Sequence, residues 1–217
     1  MPRLLSEDDV SDFRERLCKA AAKLFSDKGA DGVTMRELAS AMGVSAMTPY
    51  RYFRDKTEIL AAVRARAFDK FAAALEEAYA KPGSAPERAH ATGEAYVRFA
   101  VEHPSDYSLM FSEWLPGEGD HPELERAKRR AKQTMTAHVR PLVEMGLFAG
   151  DPDLIGHVFW AMLHGAVTLH LAGKLAGQYP ASPQYGIDQI VAEATRALVE
   201  GFRVQRDKEC ERKTSSR

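Results

Sequence analysis

The chain is poor in cysteine, and the placing of its cysteines argues against both a zinc-binding protein and a disulfide-stabilised one. Its 217 residues contain two cysteines, Cys18 and Cys210, which stand far apart without a neighbouring Cys/His pair. That spacing matches neither a zinc-binding motif nor a disulfide framework. The first ten residues, MPRLLSEDDV, lack the apolar core of a signal peptide. We therefore expect a soluble, cytoplasmic protein that uses neither a metal nor another cofactor.

Long apolar runs and a strong charge of one sign are also missing. The longest apolar run, residues 158–172, is interrupted by His164, Thr168 and His170 and is shorter than a membrane-spanning helix requires. The formal net charge of −1 argues against a protein that is basic over its whole surface. Within residues 44–56, however, Arg51, Arg54 and Lys56 face a single acidic residue. Positive charge is therefore local.

Strand signals are scarce, whereas Ala, Leu, Glu, Arg and Lys are abundant, so the chain is predicted to be all-α. Helical periodicity and turn residues predict an N-terminal three-helix domain that contains a helix-turn-helix. A long helix joins it to a C-terminal helical bundle that dimerises. The predicted helices cover about 7–28, 35–42, 46–53, 56–80, 86–103, 104–114, 122–146, 153–176 and 187–205. These patterns divide the chain into an N-terminal part over residues 1–55, a C-terminal helical part over 56–205 and a disordered tail over 206–217.

The helix-turn-helix is predicted from residues 34–53. Thr34 and Glu37 have the spacing of a capping box, Gly43 suits a turn, and Ser45 can begin the next helix. Pro49 leaves two alternatives open. If Ser45 is the N-cap, Pro49 sacrifices a helical hydrogen bond and the opening turn loosens toward 3₁₀ geometry, which is the alternative we favour. If Thr48 is the N-cap, Pro49 is an ordinary first helical residue.

These residues carry a resemblance to a known family. The stretch ADGVTMRELASAMGVSAMTPYRYFRDKTEIL resembles the DNA-binding domain of TetR/AcrR-type regulators, with Thr34, Gly43, Ser45, Tyr50 and Lys56 among the matching positions. The stretch also departs from the family pattern, which usually has a small residue or Pro where Met47 stands and an aliphatic residue where Pro49 stands. Farther along, the spacing Trp160, His164, Gly165 is similar to the Trp-His-Gly signature of one C-terminal domain type in such regulators.

The resemblance implies a transcription regulator, not an enzyme, with residues 1–55 as the DNA-binding domain and residues 56–205 as the ligand-binding and dimerisation domain. Such a protein, most often a repressor released by a ligand, binds a palindromic operator as a homodimer and places its third helices in successive major grooves. The DNA-facing residues that it implies are Arg36, Ser45, Ala46, Met47, Thr48, Tyr50, Arg51, Tyr52 and Lys56. Arg36 is a candidate for a bidentate guanine contact, and a solvated charge is its alternative. For Tyr50 and Tyr52 we expect packed rings with hydroxyls at phosphates, and for Phe53 a place in the core.

The predicted helix 153–176 is apolar on nearly every side, so both of its sides must be covered. We expect it to form a four-helix dimer interface with the last helix. A pocket for a small, mostly apolar effector is predicted in the bundle. Its candidate lining residues, for which an ordinary core is the alternative, are Tyr96, Phe99, Tyr107, Met110, Trp114, Met135, His138, Phe159, Met162 and His164.

Three alternatives stay open from the residues alone. The basic run at 126–132 is expected to be a solvated helix face and not a second nucleic-acid site. His157 and His164 are expected in a core or pocket, since no partners stand at metal-ligand spacing. The rival function is a helical small-molecule-binding or enzymatic protein whose N-terminal helices only cap the bundle.

Overall fold

The computed structural model describes residues 6–112, 118–175 and 185–204. Trp114, Cys210 and the predicted tail lie outside these ranges. Nine α-helices occur within them, joined by turns and by 3₁₀ turns at Pro49–Arg51 and Glu118–Asp120, so the predicted all-α class is confirmed. The helices are α1 (Glu7–Lys28), α2 (Met35–Ala41), α3 (Lys56–Tyr79), α4 (Ala85–Glu102), α5 (Pro104–Met110), α6 (Pro122–Thr136), α7 (Arg140–Glu144), α8 (Pro152–Leu171) and α9 (Ile187–Phe202).

One predicted helix is two helices in the structure. The expected single helix over 122–146 breaks after Thr136, and α7 begins at Arg140. Pro141 explains the break, because it has no N–H and its ring would clash with the carbonyl four residues earlier in a continuous helix. In the turn that replaces the helix, the Val139 N–H donates to the Thr136 carbonyl at 3.1 Å.

Packing divides the chain into two compact units. The first consists of Met1–Ala78 and Glu94–Thr134, and the second of Tyr79–Gly93 and Met135–Arg217. These limits fall inside α3, α4 and α6 and not at residue 55. The packing units therefore do not test the predicted division of the chain by function at residue 55. That division remains a prediction.

The core of the first unit joins α1 and α2 to the start of α3. Leu17, Phe25, Leu38 and Ile59 are almost completely buried there, and Leu109 of α5 belongs to the same cluster. The buried residues of α1, which include Ala21, recur every four residues, so one face of α1 supplies them. This core makes α2 and the residues that follow it a fixed platform.

The second unit is built on α8. Its core contains Val139, Leu142, Phe148 and Ile155, and Phe159 and Phe202 pack against it. The most apolar 18-residue stretch of α8 has a mean hydropathy of 1.4. By length and composition alone α8 could cross a membrane, which the shorter run 158–172 did not predict. Only 22% of its most apolar stretch is buried within the chain. Leu154 and Leu169 are 62% and 48% exposed, so this apolar helix keeps a large uncovered surface.

Candidate nucleic-acid interface

The turn between the two helices of the motif has the predicted geometry. The Thr34 hydroxyl accepts from the Glu37 N–H, and Glu37 Oε2 accepts from the Thr34 N–H at 2.8 Å, which completes the capping box at the start of α2. After α2, Gly43 has a φ of 65°, a left-handed conformation that glycine adopts without a Cβ clash. The chain therefore leaves α2 in a fixed direction and enters residues 45–53, which we call the reading segment.

The reading segment is shorter and tighter than a full α-helix. The Thr48 N–H donates to the Ser45 carbonyl at 2.9 Å, and the regular 3₁₀ turn then begins at Pro49. The N–H groups of Tyr52 and Phe53 both donate to the Pro49 carbonyl at 3.0 Å. Pro49 is thus a first helical residue after Thr48, contrary to the alternative that we favoured. The favoured alternative also predicted a loosened, 3₁₀-like turn, and such a turn is present at Ser45–Thr48, immediately before Pro49.

Ser45 does not cap the segment in the predicted way. Its hydroxyl hydrogen-bonds the Thr48 hydroxyl at 2.9 Å. An N-cap hydroxyl would instead accept a hydrogen bond from a backbone N–H in the first turn of the helix. One hydroxyl proton of the pair is used in the bond between Ser45 and Thr48, and the other is available to an external acceptor. The pair therefore both stiffens the turn and keeps a donor at its surface.

Helix α1 anchors the end of the reading segment through contacts that the sequence analysis missed. Phe13 stacks on Tyr52 with ring centroids 4.0 Å apart. The guanidinium of Arg14 lies 4.0 Å from the centre of the Phe53 ring, and its Nη1 donates to the Tyr52 carbonyl at 2.5 Å. Glu58 lies 3.7 Å from the same guanidinium. A Phe-Arg pair on an amphipathic helix is too common a pattern to have indicated this role.

The predicted DNA-facing residues differ in exposure. Ser45, Ala46 and Arg51 are exposed, Met47 is 69% exposed and Tyr50 is 48% exposed, whereas Thr48, Tyr52 and Lys56 are half-buried. Phe53 is buried, as expected. Ring packing is found for Tyr52 but is wrong for Tyr50, because a 3₁₀ turn of three residues directs the Tyr50 side chain away from the unit's core.

The positive groups of this surface are engaged to different degrees. Arg36 and Arg51 are exposed, and within the described part of the chain their guanidinium groups have no hydrogen-bond or ion-pair partner. Arg54 Nε lies 3.3 Å from Glu58. Lys56 Nζ donates to the Ala30 carbonyl at 2.6 Å, which leaves two of its three N–H groups for other acceptors.

Glu37, the acidic residue of α2, forms an ion pair with Lys28 of α1. Lys28 Nζ lies 2.7 Å from Glu37 Oε1. The hydrogen bond from Lys28 and those from Thr34 lower the pKa of Glu37 from its ordinary 4.5 to about 2. Glu37 is thus charged but paired at neutral pH, and its repulsion of a phosphate is reduced.

The candidate pocket residues do not form one group within a single unit. Tyr96, Phe99, Tyr107 and Met110 are buried in the first unit, where the two tyrosine hydroxyls hydrogen-bond at 2.8 Å. The rings of Tyr96 and Phe99 pack edge-on with Phe71, and burial raises the pKa of Tyr107 far above its ordinary value. This arrangement is a packed aromatic core.

The remaining candidates belong to the second unit, except Trp114, which lies outside the described residues. Met135 is buried, and His138, Phe159, Met162 and His164 are half-buried. Phe159 packs with Phe148 and Phe202 at centroid distances of 6.3 and 6.2 Å, so it has a core role. Burial lowers the pKa of His164, which favours its neutral form.

Two arginines of the basic run at 126–132 pair with carboxylates of α3. Arg126 donates to both oxygens of Asp69, at 3.2 and 2.7 Å. Arg130 reaches Asp69 at 3.1 Å and also pairs with Glu76. These ion pairs hold the two guanidinium groups against α3, which supports the expected solvated helix face and not a second nucleic-acid site.

The geometry defines a helix-turn-helix protein with a helical C-terminal part, and comparison with known proteins agrees. Residues 17–63 match the family model described as bacterial regulatory proteins, tetR family, and residues 89–194 match a tetracyclin repressor-like C-terminal domain. The Trp160, His164, Gly165 signature falls inside the second match. The chain belongs to the TetR/AcrR family of transcriptional regulators.

Solved structures and curated relatives support the same family. A Rhodococcus sp. RHA1 protein of unknown function is 30% identical, with a TM-score of 0.73 over 88% of this chain and 95% of that one. The TetR family transcriptional regulator PfmR from Thermus thermophilus is 25% identical, with a TM-score of 0.63 over 84% and 97%. HTH-type transcriptional regulators of Staphylococcus aureus are 33% identical over 63 residues, which is 29% of this chain and 34% of theirs. The matched segment thus spans about a third of the length of these curated relatives.

Proposed function

We propose that this chain is a cytoplasmic, sequence-specific DNA-binding regulator, and that it is a repressor which a small effector releases from a palindromic operator. The observation that carries the proposal is the reading segment. Met47, Tyr50 and Arg51 are exposed there on a turn that α1 and Pro49 hold rigid. Exposed aromatic, apolar and positive side chains on a fixed turn have no packing role, whereas they suit the major groove and its phosphate walls.

The proposed docking separates backbone contacts from base contacts. Arg51, Lys56 and the hydroxyl of Tyr52 contact phosphates, together with the hydroxyl pair of Ser45 and Thr48. Arg36, Ala46, Met47 and Tyr50 face base edges. Phosphate contacts set most of the affinity and make it dependent on salt, whereas base contacts set the sequence preference.

We propose that the protein acts as a homodimer and that α8 and α9 of each subunit form the interface. Support comes from the exposed apolar residues Leu154, Leu169 and Leu171 of α8. Leaving such a surface in water is unfavourable by about 25 cal/mol per Å². A twofold partner would cover it and would also pair two reading segments for the two halves of a palindrome.

Effector binding in the helical part C-terminal to the reading segment completes the proposal. An effector releases DNA only if it binds one arrangement of the dimer more tightly than the other. The half-buried Met162, His138 and neutral His164 are the residues of the second unit that we assign to effector contact. Met adapts to apolar ligands of different shape, and a neutral imidazole can both donate and accept a hydrogen bond.

The test is a binding titration against the DNA that flanks the protein's own gene, repeated over a salt series. Arg51→Ala and Lys56→Ala should weaken binding to all sequences and reduce the salt slope by about one each. Arg36→Ala should mainly relax sequence preference, by about 1–3 kcal/mol at one base pair. Arg140→Ala is the control, because Arg140 is exposed in the other unit and pairs with Asp153.

The outcomes separate the proposal from its rival. Unchanged affinity and salt slope in both Arg51→Ala and Lys56→Ala would show that the docking is wrong. Absence of binding to any duplex at low salt would instead favour a helical ligand-binding or enzymatic protein.

A further inference from the structure

The tip of the reading segment has an unusual set of side chains for a surface that meets base edges. Its four residues before the buried Pro49 are Ser45, Ala46, Met47 and Thr48. The two hydroxyls are bonded to each other at 2.9 Å, and Ala46 carries only a methyl group. None of the four is an Arg, Asn or Gln, the side chains that make bidentate hydrogen bonds to bases.

Met47 dominates this tip. Met47 is 69% exposed, a larger fraction than for any other large hydrophobic residue in the described part of the chain. The neighbouring turn is held by the Thr48 to Ser45 backbone bond and by buried Pro49, so the methionine projects from a rigid base. The thioether is flexible and polarizable, and it gains by contact with apolar groups.

The major groove offers an apolar group at only one standard base. Thymine carries a C5-methyl, whereas guanine, adenine and cytosine present hydrogen-bond donors and acceptors at their edges. An apolar side chain placed against any other base edge displaces water from hydrogen-bonding groups and offers them no partner, whereas at the thymine methyl it displaces water from an apolar group. The chemistry of the tip is therefore matched to thymine.

We propose that Met47 is a specificity-determining residue that reads thymine 5-methyl groups, so that the operator half-site carries thymine opposite the tip of the reading segment. This inference rests on the proposed DNA-binding function and adds a base identity to it. Hydrogen-bond readout is left to Arg36 and Tyr50, and the tip contributes by apolar contact.

The experiment replaces thymine by deoxyuridine, which removes the methyl and keeps base pairing. A binding duplex is first selected from a random pool with the wild-type protein, and each thymine of a half-site is then replaced in turn. At one or two positions wild-type affinity should fall about fourfold per methyl removed, the value expected for one buried carbon. Met47→Ala should bind the thymine and deoxyuridine duplexes equally at those positions, and Met47→Leu should keep the discrimination.

The controls make each outcome decisive. Met145→Ala alters a methionine that is 60% exposed in the other unit, and it should retain full methyl sensitivity. The inference is overturned if wild type ignores every deoxyuridine, or if Met47→Ala keeps the wild-type sensitivity. Failure of the wild type to select any duplex would overturn the DNA-binding proposal itself. Because Met47 is exposed, circular dichroism of Met47→Ala should match that of wild type.

Discussion

Two regions of this molecule expose large apolar side chains, and they do so in opposite ways. The reading segment exposes Met47 just before a 3₁₀ turn of three residues and Tyr50 within that turn, among hydroxyls and positive charge. Helix α8 shows Leu154 and Leu169 on twenty residues without a polar face. One region is a small rigid tip, and the other is a long uncovered surface.

The difference teaches what each exposure is for. A single methionine on a polar turn removes too little area from water to hold two proteins together, but its shape and chemistry can discriminate a base. Exposed apolar residues spread along a helix offer little chemical discrimination but much area, as a subunit interface requires. Substitutions in the two regions should therefore change different measurements.

The largest effect is expected from a charge on α8. Leu169→Glu would place a carboxylate in the proposed interface twice, once from each subunit, and like charges there cost several kcal/mol. Dimerisation should weaken by at least about a hundredfold. Sedimentation at micromolar concentration should then show a monomer, and operator affinity should fall because the two reading segments are no longer linked.

A matched control is Met145→Glu, which adds the same charge at an exposed apolar residue outside α8. It should leave a dimer. If wild type itself sediments as a monomer, or if Leu169→Glu stays dimeric, the exposed face of α8 is not the dimer interface.

The next effect concerns the inner side of α8. A Cβ on Gly156 would lie 2.9 Å from the Cβ and 3.0 Å from the Cα of Thr136, closer than side-chain atoms pack. Gly156→Ala should therefore lower the free energy of unfolding by about 1–3 kcal/mol. At Gly93 in α4 an added Cβ meets nothing within 4 Å, so Gly93→Ala should raise the free energy of unfolding by up to about 1 kcal/mol. Urea unfolding at one fixed protein concentration measures both, and a stabilised Gly156→Ala would contradict the close approach.

Local signals predicted most of the fold. Ser6 and the period of the apolar residues placed α1 at residues 7–28, and the structure has it at Glu7–Lys28. The capping box at Thr34 and the turn at Gly43 were equally local, and both are present. Such features depend on a few neighbouring residues, which is why a single sequence reveals them. The missed break at Pro141 was also local, since proline at that position should have ended the helix.

The site depends on contacts that no local pattern contains. Arg14 meets Tyr52 across 38 residues of chain, and nothing near Arg14 distinguishes it from a solvated helix charge. Similarly, the engagement of Lys56 by the Ala30 carbonyl joins residues 26 apart. The residue types of the reading segment were predictable, whereas their exposure and anchoring required the fold.

The anchor of the reading segment provides the third test. Arg14→Ala removes the contact over the Phe53 ring and the hydrogen bond to the Tyr52 carbonyl, so stability should fall by about 1–2 kcal/mol. Operator affinity should fall as well, because the tip loses its rigid base. Arg16→Ala is the matched control on α1, since Arg16 is 61% exposed and forms an ion pair with Asp12, which is worth at most about 0.5 kcal/mol. Equal effects of the two substitutions on operator binding would show that Arg14 does not support the reading segment.

The smallest effect is the acid sensitivity of the first unit, which comes from Glu37. Because its pKa is lowered from 4.5 to about 2, chiefly by Lys28 and then by Thr34, its contribution to stability is complete above pH 4.5. The contribution is lost as the pH falls from 4.5 through 2, since protonation ends the pairing with Lys28. Glu37→Gln should therefore be less stable than wild type at about pH 6, and this difference should shrink toward pH 2. Lys28→Met should bring the Glu37 pKa back toward 4.5 in a carboxyl titration followed by NMR. An unshifted pKa in wild type would mean that the 2.7 Å contact between Lys28 and Glu37 does not persist in solution, because a lasting charged hydrogen bond must favour the ionised carboxyl.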